Sequence, residues 1–147
     1  MMQNGTILLV EDSPDDEALI LRALHKANVT NKIDIVRDGA EALDYIFGTG
    51  AYEGRGVTHP TVTLLDLKLP KVDGLEVLKR LREDARTKQH PVVMLTSSNE
   101  QEDMIRSYSL GVNSYVRKPI EFGQFTQTVA ELGLYWLLLN QVPAHMR

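Results

Sequence analysis

Short apolar runs alternate with longer amphipathic segments along the 147-residue chain, the rhythm of a parallel sheet wrapped by crossover helices. Five runs predict strands: Ile7 to Val10, Ile33 to Val36, Val62 to Leu65, Val92 to Leu95, and the short, mixed Ser114 to Val116. The most apolar of them have to be covered on both faces, which helices on each side of a parallel sheet achieve. The fold class is therefore α/β, a doubly wound five-stranded parallel sheet with five helices.

The helices declare their starts. Ser13 predicts a cap, with Pro14 in the first turn and Asp16 three residues after the cap, for a helix running to about Ala27. Asp38 and Glu41 repeat the device for a second helix that Gly48 stops. A third is predicted from Gly74 to about Asp84, with Leu75, Val77, Leu78 and Leu81 turned to the core. A fourth begins at Ser98 or Asn99 and ends near Gly111, and a fifth begins around Glu121. Residues 48–60 are rich in Gly and polar side chains without a clear period, and read as a long surface loop. One domain is expected over 1–147, with its core at about 5–141, a poorly ordered tail at 143–147 and no output domain.

Composition narrows the function classes. A net charge of -4 argues against nucleic acid as the main partner, because neutralising a phosphate backbone takes a clustered excess of Lys and Arg. Without cysteine the chain has no disulfide, thiolate metal site or Cys nucleophile. Residues 1–6 lack the basic start of a signal peptide, and the apolar stretch Leu132 to Leu139 is far short of the roughly 20 residues that cross a bilayer. A cytoplasmic location is the expectation, with no membrane partner.

The candidate chemistry lies at the carboxyl ends of the predicted strands. Glu11 and Asp12 follow the first, Asp66 the third and Thr96 the fourth, and Lys118 stands just past the fifth. In an open doubly wound sheet that edge binds ligands, at the crevice where the winding reverses. With strand order 2-1-3-4-5 the first and third strands are neighbours, and three carboxylates converge. Carboxylates that close must keep a proton or recruit a cation. Magnesium, which takes one or two carboxylates and keeps several waters, suits Asp12 and Asp66, with Glu11 acting through water. Lys118 adds positive charge, and the Thr96 hydroxyl can donate to a phosphoryl oxygen.

These residues fall in the motifs ILLVEDSPDD, LLDLKLPKVDG, MLTSS and SYVRKP, through which the chain resembles the receiver domains of two-component response regulators from Ile7 to about Gln141. The resemblance implies a flavodoxin-like fold and a signalling module, not a general enzyme, although one that assists its own phosphorylation and dephosphorylation. It implies that Asp66 accepts a phosphoryl group from a histidine kinase. Asp12, Asp66 and the Lys68 backbone carbonyl would bind magnesium, with Glu11 in support. Thr96 and Tyr115 would form the switch pair that remodels the face of the fourth helix, fifth strand and fifth helix, and the Lys118–Pro119 bond would be cis. Lys68 and Ser98, two residues beyond Asp66 and Thr96, occupy positions that tune phosphorylated lifetime in the family, and Lys68 is expected to reach over the phosphoryl group and hinder water. The long loop and the ending YWLLLNQ are similar to the small stand-alone regulators that serve bacterial phytochrome kinases.

Each of these residues alone has a plainer reading: Asp66 as a turn former, Glu11 and Asp12 as the start of a turn, Lys118 as a solvated charge, Thr96 as a strand residue, Tyr115 as half-buried packing. Agreement at four strand ends favours the functional reading. His25, His59, His90 and His145 lack metal spacing and read as surface residues. Apolar surplus around Tyr135 and Trp136 points to a homodimer through the fifth-helix region. The alternative function is a phosphatase or phosphotransferase with an aspartyl nucleophile. Against it, Lys68 stands where such an enzyme would place its second acid, and no segment can form a cap domain. A phosphorylation-independent binding module is a third reading, disfavoured because no pocket residue is missing.

Overall fold

The computed structural model describes residues 5–97 and 100–118. Five parallel strands, β1 (Ile7–Val10), β2 (Ile33–Val36), β3 (Val62–Asp66), β4 (Val92–Thr96) and β5 (Ser114–Arg117), form one sheet in the order β2-β1-β3-β4-β5. Between them run α1 (Pro14–Lys26), α2 (Gly39–Phe47), α3 (Gly74–Glu83) and α4 (Gln101–Ser109). The fold class and strand order match the sequence expectation. The fifth helix, its dimer face, Ser98, His145 and the Lys118–Pro119 bond lie outside the described residues.

Strand alternation divides the core. Ile7, Leu9, Val62, Leu64, Val93 and Leu95 pack on the face covered by Ile20 and Leu24 of α1. Leu8, Val10, Leu65, Val92 and Met94 pack on the other, against Ala42 and Ile46 of α2 and Leu75, Leu78 and Leu81 of α3. Every residue of β1, β3 and β4 is buried, while the edge strand β2 is only partly covered, so the centre of the sheet is the apolar anchor to which the site is attached.

The caps follow the sequence. Ser13 accepts from the Asp16 N–H, Asp38 accepts from the Glu41 N–H, and Gly48 closes α2 in the left-handed region at φ 70°. α3 starts at Gly74 as expected, capped by Asp73, whose side chain accepts from the Glu76 N–H. One bound differs: α4 begins at Gln101 with Glu100 as its N-cap, later than Ser98 or Asn99. The loop at 48–60 is more built than its composition suggests. It contains a 3-10 turn at Gly50–Tyr52, and the Arg55 guanidinium lies against both the Tyr45 and Tyr52 rings, 4.3 and 4.7 Å from their centroids.

His90 corrects the surface assignment. It is buried just before β4, and its Nε2 shares a 2.6 Å hydrogen bond with Thr63 Oγ1 of β3. Burial, with the charges of Arg82 and His59, lowers its pKa from 6.5 to about 4. The folded state thus holds His90 neutral where the unfolded chain protonates it. Its stabilising contribution is whole above pH 6.5 and is lost as pH falls through about 4, a loss of about 3 kcal/mol at about 1.4 kcal/mol per pKa unit. Urea unfolding from pH 7 to 4 is expected to show His90→Gln losing less stability than wild type by about that amount. Parallel pH curves would refute the assignment.

Candidate functional site

Two glycines position the loop that follows β3. A Cβ on Gly74 would lie 2.3 Å from the Asp66 carbonyl oxygen, and a Cβ on Gly39 would lie 1.7 Å from that of Val72. The first turns of α2 and α3 therefore close on residues 67–73 at distances that only glycine allows. The Gly74 N–H donates to the Leu67 carbonyl at 2.9 Å, so the backbone leaving Asp66 is held at its root.

The β1–β3 register pairs Val10 with Leu65, which sets Glu11 and Asp12 beside Asp66 at the carboxyl edge. One oxygen from each of Glu11, Asp12 and Asp66 lies within 4.8 Å of the others. Glu11 and Asp66 are buried and Asp12 is exposed, so the cluster opens to solvent on the Asp12 side. Lys118 follows β5, and its backbone N–H donates to the Thr96 carbonyl at 2.8 Å, extending the sheet by one bond. That bond aims its side chain back across the edge. Nζ meets Glu11 Oε1 at 2.6 Å, Asp16 Oδ2 at 2.8 Å and Asp66 Oδ2 at 3.4 Å.

Electrostatics follow from the packing. Burial pushes the Glu11 carboxyl up to about 7; the Lys118 hydrogen bond opposes this and the charge of Asp66 adds to it. For Lys118 burial acts downward, but the hydrogen bonds to Asp16 and Glu11 and the charge of Asp66 outweigh it and hold the ammonium above its usual range. Three carboxylates, Glu11, Asp16 and Asp66, thus face one ammonium, with Asp12 beside them in the acid trio, and the excess of negative charge is what a hard divalent cation neutralises. Oxygens bound to one magnesium lie about 2.0–2.1 Å from it, hence at most about 4.2 Å apart. The three carboxylate oxygens lie within 4.8 Å of one another, near that spacing, and are the hard oxygen donors such an ion takes, so the donor set fits it.

The structure brings together Glu11, Asp12, Asp66 and Lys118. Thr96 is fully buried at the end of β4. Tyr115 pairs in register with Met94, two residues before Thr96, and strand alternation puts Thr96 and Tyr115 diagonally on one face. Lys68 donates its N–H to Asp66 Oδ1 at 3.4 Å, while its ammonium pairs with Asp103 of α4 at 3.8 Å. The sequence reading missed Asp16, which it used only as a capping acid. The available signal was Glu11, two residues before the Ser13 cap and able to take over the bond that a capping acid would accept.

A doubly wound sheet with an acid trio and a lysine at its carboxyl edge defines an acidic-pocket phosphoacceptor module. The model of the response regulator receiver domain matches residues 7–130, and the chain belongs to that family, the signalling domains of two-component systems. The chain is 45% identical over 137 residues, 93% of its length and 86% of the relative's, to the Probable methanogenesis regulatory protein FilR2 of Methanothrix harundinacea. Among solved structures it is similar to the bacteriophytochrome response regulator RtBRR, with TM-score 0.84, 50% identity and coverage of 97% of this chain and 86% of that one. A phosphorylated cyanobacterial phytochrome response regulator, RcpA, aligns at TM-score 0.76 and 39% identity, covering 97% and 100%. A manganese-bound form of response regulator Rcp1 aligns at 0.75 and 37%, covering 95% and 99%. Among the described residues, no helix is long and apolar enough to cross a membrane.

Proposed function

We propose that the chain is a phosphoacceptor switch in which Asp66 takes a phosphoryl group from a partner histidine kinase of the phytochrome type. The observation that carries the reading is the meeting of Glu11, Asp12 and Asp66 oxygens within 4.8 Å beside the Lys118 ammonium. An Asp66 carboxylate oxygen attacks phosphorus, and the O–P bond forms as the P–N bond to the donor imidazole breaks, its electron pair leaving with the donor. Lys118 neutralises charge on the transferring oxygens, and Thr96 offers its hydroxyl to one of them. Asp12 and Asp66, with the Lys68 backbone carbonyl and with Glu11 through water, would hold magnesium, which supplies charge neutralisation between the phosphoryl oxygens and the acids. The names of RtBRR and RcpA support the phytochrome assignment, and the manganese form of Rcp1 supports the metal.

The phosphoryl group then acts as a population shift, favouring the conformation in which more of its oxygens are paired. Thr96 moves toward it and Tyr115, on the same face, turns into the space released. Ile105 and Tyr108 of α4, each more than half exposed, lie on the surface that this change remodels for a partner. The alternative of an aspartyl-nucleophile enzyme is not favoured, since the side chain two residues beyond Asp66 is the ammonium of Lys68 and not an acid.

The test is incorporation from acetyl phosphate, read by intact mass with the modified residue located by peptide mapping. Labelling is expected with millimolar magnesium, on Asp66, and is expected to stop with a chelator. Incorporation that persists without divalent ion, or that maps elsewhere, would overturn the reading.

A further inference from the structure

Asp16 stands three residues after the Ser13 cap of α1. An acid at that position ordinarily turns back to accept from the cap residue's own N–H. Here the box is half made. Asp16 N donates to Ser13 Oγ at 3.3 Å, but the reciprocal place is taken, because Ser13 N donates to Glu11 Oε2 at 3.2 Å. The Asp16 carboxylate, released from capping, accepts from Lys118 Nζ at 2.8 Å across 102 positions of sequence.

We infer that Asp16 is a positioning residue for phosphoryl transfer, holding the Lys118 ammonium at the mouth of the pocket through that 2.8 Å hydrogen bond. The inference rests on Asp66 being the acceptor. An ammonium has three N–H donors. Two make short bonds, to Glu11 at 2.6 Å and Asp16 at 2.8 Å, while Asp66 at 3.4 Å is beyond a strong hydrogen bond. The two anchors lie at different depths, since the Glu11 side chain is 1% exposed and that of Asp16 is 34% exposed. Glu11 therefore fixes the ammonium from inside and Asp16 from the solvent side. The third N–H is left for an oxygen on or attached to Asp66. Without Asp16 the ammonium settles between Glu11 and Asp66, where it masks the nucleophile and stands back from the phosphoryl oxygens.

The experiment compares acetyl phosphate labelling rates of wild type, Asp16→Ala, Asp16→Asn, Lys118→Ala and the Asp16→Ala/Lys118→Ala double variant, at saturating magnesium. Asp16→Ala keeps the backbone N–H that bonds Ser13, so α1 retains its cap. Its rate at saturating donor is expected to fall about tenfold, the scale of one charge-assisted hydrogen bond, with the half-saturating donor concentration little changed. Asp16→Asn, which keeps a neutral acceptor, is expected to fall between it and wild type. In the Lys118→Ala background Asp16→Ala is expected to add nothing, because the effect runs through the ammonium. A purely structural role would slow both backgrounds alike, and that result, or an unchanged rate in Asp16→Ala, overturns the inference. A wild type that takes no label on Asp66 overturns the proposed function as well, whereas a labelled wild type with an indifferent Asp16→Ala overturns this inference alone.

Discussion

Asp66→Asn is expected to take up no phosphoryl group from acetyl phosphate and to be no less stable in its folded state than wild type. An amide has no anionic oxygen to attack phosphorus, so the loss is complete and not graded. The stability half of the expectation comes from charge. Asp66 shares the pocket with Glu11, Asp12 and Asp16, while the ammonium makes its two short bonds elsewhere, to Glu11 and Asp16. Removing one of several crowded carboxylates relieves repulsion and keeps both anchors of Lys118, and the amide oxygen can still accept from the Lys68 N–H. In urea without divalent ion the variant is expected to match wild type or exceed it by about 1 kcal/mol. Residual labelling would place the acceptor at another residue. A loss of several kcal/mol would mean that Lys118 stabilises Asp66 more than its 3.4 Å separation allows.

Lys118→Ala is expected to be the most destabilising change at the site. It leaves the Glu11 carboxylate buried without its cation, and breaking one side of a buried pair costs about 3–5 kcal/mol. Protonation limits the damage. In wild type the Glu11 carboxyl is already pushed up to about 7, and loss of the lysine that holds it down raises it further. With the folded pKa above the unfolded 4.5, the folded variant binds the extra proton, so its stability falls as pH rises through and above 7 and recovers as pH is lowered toward 6. Urea unfolding at pH 6, 7 and 8 checks the sign. Millimolar magnesium is expected to restore part of the loss at pH 8, as a ligand that binds only the folded form. A pH-independent loss would show that the damage lies in packing and not in the stranded charge.

Much of this site was legible in the sequence because parallel strands expose their chemistry at one edge. Once five apolar runs and their order are read, Glu11, Asp12, Asp66 and Lys118 have to meet, and they do. Caps were legible for the same local reason: Ser13, Asp38 and Gly48 act within a few residues of themselves. What escaped depends on contacts with distant partners. Asp16 looks like a capping acid until Glu11 is seen to hold the Ser13 N–H, and His90 looks like a turn residue until β3 brings Thr63 to it. The ordered loop at 48–60 escaped because Arg55 and Thr58 tie it to the Tyr45 carbonyl, and such side-chain ties leave no period in the sequence.

The two glycine contacts at residues 39 and 74 give the pocket one stiff wall and one compliant one. On the stiff side α3 buries Leu75, Val77, Leu78 and Leu81, and its first turn touches the backbone of Asp66 and Leu67. On the compliant side α4 buries only Asp103 and Ser107, two polar residues, and holds Ile105 and Tyr108 out in water. Of these two helices α4 is the less firmly packed, so a change at Asp66 is expected to displace α4 while the α2–α3 flank keeps its place.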